Sequence, residues 1–277
     1  MNSKILVPYD FSQEAKYSLK LGKEVAARLG YKLKVLHCLD FPEYPYLGSD
    51  RIKPLEKTLI DEGASALIDD ITKMFGSMEG LEVDIVSGSA SSNILNTTFD
   101  KEVSYTFMGY KNRQIPNHIG STTRDILRFA KGSVMSLKKE VSLESIKHIL
   151  IVTDFFNTAV KAIENLKLIQ RITKAKLTFV YVNTRESWLT TKETKRSMKD
   201  FTEIHGLHEA NLEIVNDDTI VSGVLNGLLT SSYDLIALKL NGLSDAKKVN
   251  DLHLMGEVLL ESTDIPILTY VHENNYR

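Results

Sequence analysis

Ile5-Leu-Val-Pro-Tyr-Asp10-Phe11 reads as a buried strand closing on an acid, and Ile149-Leu-Ile-Val-Thr-Asp154-Phe155 repeats the phrase 144 residues later. Beyond the phrase the register holds without a gap, pairing Ala15 with Ala159, Leu19 with Ile163, Leu33 with Leu177 and Val35 with Phe179. The chain is therefore a duplication. Each copy runs from an apolar stretch through an acid and a helix to another apolar stretch, the order of a parallel sheet with crossover helices. Ligands of such sheets lie outside the carboxyl ends of the strands, where Asp10 and Asp154 fall.

At 277 residues the length suits two domains, each with its own core. The formal net charge of -2 leaves no basic surplus to neutralise phosphates, which argues against sequence-independent nucleic-acid binding. Cys38 is the only cysteine, so there is no internal disulfide, and a reducing compartment fits. The first strand follows the N-terminus directly, and no apolar stretch approaches the ~20 residues of a membrane span. A cytoplasmic protein without a membrane or nucleic-acid partner is expected.

The first copy should place strands at Lys4 to Tyr9, Lys32 to Cys38, Leu81 to Val86, Tyr105 to Met108 and Val134 to Leu137. Ser12 caps the helix after the first strand, Ala15, Leu19, Gly22, Ala26 and Leu29 form its buried face, and Gly30 ends it. A loop with Pro42, Pro45 and Gly48 leads to a long helix through Leu55 and Ile71, and Thr122 to Ala130 is helical. The second copy should repeat the strands at Ile149 to Thr153, Leu177 to Val182, Leu212 to Val215, Leu235 to Leu238 and Ile267 to Val271. Its helix from Thr191 to His205 is polar and reads as a solvated face. Lys138 to Lys147 is the linker, so domains of 1–141 and 142–277 should dock closely rather than swing.

The strongest chemistry lies after the fourth strand, where Gly109 follows Met108 and Gly120-Ser121-Thr122 opens a helix. Free backbone N–H groups and the helix dipole favour an anion there, and the hydroxyls of Ser121 and Thr122 add donors. The same residues also read as a loop end and a helix cap. Asp10 and Gly109 end strands that should be neighbours, which favours a nucleotide.

Ile5 to Ser12, with Ala15 and Leu19 following, resembles the opening of a universal stress protein domain. Leu36-His37-Cys38, Gly88 with Ile94-Leu95, Phe107-Met108-Gly109 and the run from Gly120 to Ala130 closing on Val134 match that family in order. The second copy matches through Asn183 and again from Ser232, so the whole chain resembles a tandem universal stress protein. The resemblance implies an α/β protein of two repeated adenine-nucleotide-binding-like domains, each a five-stranded parallel sheet with helices on both faces. It further implies pairing through the last strands, and it leaves ATP binders and non-binders both open. By the same carry-over, Asp10 and the backbone at Cys38 face adenine and ribose, Met108 floors the pocket, and Gly109, Gly120, Ser121 and Thr122 hold the phosphates of ATP or AMP.

Two departures mark the first copy. Asn112 stands where the family's binders have a second glycine, and the run from there to Gly120 is two residues short. Lys111, Arg113 and His118 could offset this with charge. The second copy keeps Asp154 and has Gly242, but carries Lys239 at the Gly109 position and Leu252-His253 at the Gly120-Ser121 position, so its phosphate site reads as degenerate. A lysine side chain blocks the close approach that glycine permits.

Other motifs are weak. Ser136-Leu-Lys-Lys lies on an expected strand, His205 and His208 lack further ligands, and Cys38 reads as buried and inert. The expectation is a stress-response binding and signalling module whose second half is a built-in dimer partner, with a homodimer and an unidentified protein partner also allowed. The alternative is a scaffold that binds no nucleotide and acts through protein contacts. No catalytic residue or metal is expected, since a hydrolase would need a base or metal cluster beyond Asp10, which leaves weak ATP hydrolysis as a third class.

Overall fold

The computed structural model describes residues 3–40, 49–111, 120–153, 155, 160–240 and 256–271. The first half runs β1 (Lys4–Pro8), α1 (Gln13–Leu29), β2 (Lys32–Leu39), α2 (Ser49–Phe75), β3 (Leu81–Ser87), α3 (Ala90–Thr98), β4 (Val103–Gly109), α4 (Ser121–Phe129) and β5 (Ser133–Leu137). The second half runs β6 (His148–Val152), α5 (Val160–Thr173), β7 (Lys176–Asn183), α6 (Thr191–His205), β8 (Asn211–Asn216), α7 (Ile220–Thr230), β9 (Leu235–Leu240), α8 (256–262) and β10 (Ile267–Val271). The loop with Pro42, Pro45 and Gly48 lies outside the described residues.

The ten strands among the described residues form one sheet in the order β3-β2-β1-β4-β5-β10-β9-β6-β7-β8. Pairing is parallel within each half and antiparallel only between β5 and β10, where Met135 faces Leu268. The last strands thus meet as the resemblance implied. Each half reverses its strand order beside its first strand, between β1 and β4 and between β6 and β9, which is where sheets of this kind open a crevice.

Alternating residues of each strand feed two apolar layers, one on each face. Ile5, Val7, Phe107, Ile151 and Phe179 join the layer under α1 and α5, while Leu6, Met108, Leu150 and Leu238 join the layer under α4 and α8. Both layers run through both halves without a break, so burial itself welds the copies together.

Local signals explain the helix ends. Ser12 accepts a hydrogen bond from the Ala15 amide at 3.2 Å, and Gly30 closes α1 at φ 69°. The repeat position of Gly30 is Lys174, which takes the same left-handed conformation at φ 56° with a side chain attached. α2 begins at Ser49, earlier than Leu55, and carries Pro54 within it. α6 has the expected bounds but is not simply a solvated face. Thr194, Met198, Phe201 and Thr202 recur at three and four residues and are buried, with Phe201 against Phe155 and Phe179, while the lysines take the outer side.

The linker is not a free tether. Leu143–Ser145 forms a single 3-10 turn, Leu143 and Ile146 are buried, and the Leu143 amide donates to Glu24 of α1 at 2.7 Å. At the centre of the molecule, Asn165 of α5 donates to the Ser104 carbonyl and to Ser133 Oγ, and Tyr105 donates to the Asn165 carbonyl at 2.7 Å. The Asn165 repeat counterpart is Leu21, fully buried. No helix among the described residues is long and apolar enough to cross a membrane.

Candidate functional site

β1, β2 and β4 end around a cavity of about 190 Å³ at the crevice of the first half. Pro8, Tyr9 and Asp10 come from the end of β1, Leu36 and Cys38 from β2, and Met108 and Gly109 from β4. Ala15, Ala90 and Thr122-Thr123 add the first turns of α1, α3 and α4. Three helix N-termini therefore point at one space, and their dipoles sum to a positive potential there.

The three starts differ in what they leave open. Ser12 caps α1 and Ser89 caps α3 with side-chain oxygens, whereas α4 begins after Gly120, which has no side chain to offer. The first amides of α4 thus have no side-chain cap over them, and such an open helix start is the arrangement that takes up an anion.

Gly109 is explained by its neighbours. A Cβ built there would lie 2.3 Å from the Glu14 carbonyl carbon and 2.5 Å from the Ala15 nitrogen. The end of β4 thus lies directly against the backbone of the first turn of α1. The need for glycine comes from this helix packing before it comes from any ligand.

Asp10 is exposed, and its Oδ1 accepts hydrogen bonds from the Ser12 amide at 3.0 Å and from the Ser12 hydroxyl. Phe11, between them, holds φ 63°, and its repeat counterpart Phe155 holds φ 61°. A non-glycine residue in this region is uncommon, and finding it twice marks the turn after the first strand as a built feature of the duplication. The Phe11 ring stands edge-on to Tyr9 and His37, and His37 Nδ1 sits 2.7 Å from the Tyr9 carbonyl oxygen.

Of the residues singled out from sequence, Asp10, Cys38, Met108, Gly109 and Thr122 line the cavity. Gly120 and Ser121 are not part of the lining; they precede Thr122 as the cap and first residue of α4. Asn112, Arg113 and His118 lie outside the described residues, as do Asp154, Gly242, Leu252 and His253. Cys38 is half-buried rather than sealed in the core, and burial pushes its thiol up to about 11. The sequence reading missed Ala15, Ala90 and Thr123 as wall residues. Their signal was their place in the first turn of helices that follow β1, β3 and β4.

A second, shallower groove of about 410 Å³ opens at the ends of β7 and β8, lined by Asn183, Arg185, Trp188, Asn216 and Asp217. Its polar groups are already engaged: Asn226 donates to Asp217 at 2.8 Å, and Asn183 is tied to Leu189 and Asn216. His205 packs on the Phe201 ring at 4.6 Å, and burial lowers its pKa. Among the described residues no cluster of histidine, cysteine and acids could hold a metal.

Residues 1–138 match the sequence model of the universal stress protein family. The fold is similar over its whole length to a universal stress protein from Archaeoglobus fulgidus, with a TM-score of 0.72 at 16% identity over 98% of this chain and 99% of that one. It is also similar to a putative universal stress protein from Pseudomonas aeruginosa, with a TM-score of 0.62 at 15% identity over 97% and 92% of the two chains. No sequence match to a curated protein was found. The chain belongs to the universal stress protein family, with two repeated halves in one polypeptide.

Proposed function

We propose that the protein is a cytoplasmic stress-response binding and signalling module, not an enzyme, with domains of 1–141 and 142–277, and that its first half holds one adenine nucleotide, ATP or AMP. The observation that supports this most is the crevice at the β1–β4 reversal, where a small cavity meets the uncapped start of α4. At about 190 Å³ the cavity is smaller than the ~300–1,000 Å³ of pockets that engulf a drug-sized ligand. It suits a base and sugar, with the phosphates outside on the amides of Ser121 and Thr122. Asp10 and the backbone at Cys38 would face base and sugar, Met108 would floor them, Gly120 would leave room for the phosphate end, and Gly109 would bring the end of β4 beside it.

The second half would be silent. Lys239 occupies the Gly109 position, where a lysine removes the close backbone approach that a glycine permits, and Leu252-His253 replace Gly120-Ser121. That half serves as the built-in partner of the first.

Calorimetric titration of the full chain with AMP, ADP and ATP tests the reading. One site per chain is expected, with AMP and ATP of similar affinity because the shortened run between Gly109 and Gly120 offers few donors to a γ-phosphate. Asp10→Ala and Thr122→Glu should both weaken binding, the second by placing a negative charge at the phosphate end, and Asp154→Ala should not. The second reading, a scaffold acting through protein contacts, is favoured by the Asp10 carboxylate being already committed to Ser12. It is the outcome if none of the three nucleotides binds.

A further inference from the structure

The register of the sheet identifies which residues are counterparts near the junction. Leu6 lies beside Thr106 and Thr106 beside Val134, while Leu150 lies beside Ile236 and Ile236 beside Ile267. Val134 and Ile267 are therefore equivalent, and so are Met135 and Leu268, a spacing of 133 residues. Met135 and Leu268 also face one another across β5 and β10, so a pseudo-two-fold axis runs between them. α4 ends at Phe129 and α8 at residue 262, the same spacing, which is one residue more than the sequence alignment of Gly120 with Leu252.

At this spacing Arg124, Arg128 and Lys131 are the counterparts of Glu257, Glu261 and Asp264. Three positions on the last helix and the turn after it are basic in one half and acidic in the other. The contacts use that polarity. Glu257, only 8% exposed, accepts from Arg124 Nε at 3.3 Å and from Arg128 Nε at 3.1 Å. Lys138 donates to the Glu261 carbonyl at 3.2 Å and stands over the Tyr110 ring, and Lys139 pairs with Asp264 at 2.6 Å.

We propose that this polarity is a partner-selection device: it commits the last strand of the first half to the second half of the chain and bars a second copy of the first half from the β5 edge. Two first halves meeting about this axis would set Arg124 against its own copy and against Arg128, and Lys139 against Lys131, while two second halves would oppose Glu257 to its own copy and to Glu261. Like charges brought together around the buried position of Glu257 exclude a pairing that shape and backbone hydrogen bonds alone would allow. A bare β5 edge offers just such a pairing. A glutamate as buried as Glu257 is tolerated only because both arginines reach it.

Charge reversal in the full chain tests this. Glu257→Arg makes both faces basic, and Arg124→Glu with Arg128→Glu makes both acidic. Each should melt roughly 6–12 °C below the parent, as expected for an uncompensated buried charge in a chain of this size. Combining all three substitutions restores opposite charges and should recover most of the loss. Refolding the basic and acidic variants together should give mixed two-chain species by native mass spectrometry, each half taking its complement from the other chain, while the parent and the triple variant stay single-chain. If a one-sided variant does not fold alone, the mixture still decides, since folded mixed dimer supports selection and aggregate overturns it. A triple variant that melts as low as the one-sided ones, or a mixture without mixed dimers, also overturns it.

Discussion

Tyr9 donates its phenolic hydrogen to Asp70 Oδ2 at 2.5 Å, joining the end of β1 to the middle of α2 across 61 residues of sequence. Lys16 reaches the other oxygen of the same carboxylate at 2.9 Å. The bond sets the wall of the candidate site, because Tyr9 is the residue before Asp10 and its side chain is buried on the opposite face. Burial resists the charge on Asp70, but the hydrogen bonds from Tyr9 and Lys16 and the charges of Lys16 and Lys73 outweigh it and hold the carboxyl below its ordinary value. A depressed folded-state value contributes stability that is present above the unfolded value of about 4 and lost as pH falls through the lower folded one. Tyr9→Phe should cost about 1–2 kcal/mol. Asp70→Asn should flatten the decline in stability below about pH 4. Urea denaturation over a pH series checks both, and an unchanged acid limb in Asp70→Asn rules the linkage out.

Gly109 tolerates no side chain because the atoms in its way are backbone. Gly109→Ala should cost about 1–3 kcal/mol, the range for overpacking, toward its upper end because the surface is backbone and cannot yield. The matched control is Gly227 in α7, where a Cβ would meet nothing within 4 Å. Gly227→Ala should stabilise the protein by about 0.5–1 kcal/mol through helix propensity. Equal effects of the two alanines in equilibrium unfolding would contradict the close approach of β4 and α1.

Lys174 and Gly30 occupy one left-handed position in the two copies. The strain of a side chain there is about 1–2 kcal/mol, offset in part by the extra freedom that glycine has in the unfolded chain. Lys174→Gly is expected to raise stability by roughly 0.5–1 kcal/mol, with Gly30→Lys lowering it by a similar amount. A destabilised Lys174→Gly protein would show that the lysine stem contributes more by packing than its backbone costs.

Cys38 has a thiol displaced upward by burial to about 11, so at neutral pH its thiolate fraction is roughly a hundredfold below that of a free cysteine. Alkylation by iodoacetamide should be correspondingly slow. Because Cys38 lines the cavity, AMP at saturating concentration should slow it further. Alkylation as fast as that of a denatured control would contradict the buried setting, and protection by AMP would report occupancy independently of calorimetry.

Much of the architecture was legible in the chain because it rests on signals that repeat. The phrase ending at Asp10 recurs at Asp154, buried strands advertise themselves as apolar runs, and Ser12 and Gly30 bracket α1 through interactions within a few residues. Helix and strand bounds moved by only a few residues, apart from the early start of α2. Asp10, Met108 and Gly109 were placed together because strand ends of a parallel sheet gather at one edge. Tertiary structure decided what depends on which surfaces meet. Glycine at 109 reads in sequence as room for a ligand, and only the packing shows the Glu14 backbone filling that room. Arg124 and Glu257 are unremarkable surface charges until β5 and β10 pair, because charge complementarity belongs to a pair of surfaces and a sequence lists each surface alone. The solvated reading of α6 was overturned for the same reason: Met198 and Phe201 are too few to dominate its composition, yet they face the sheet together once the helix is wound.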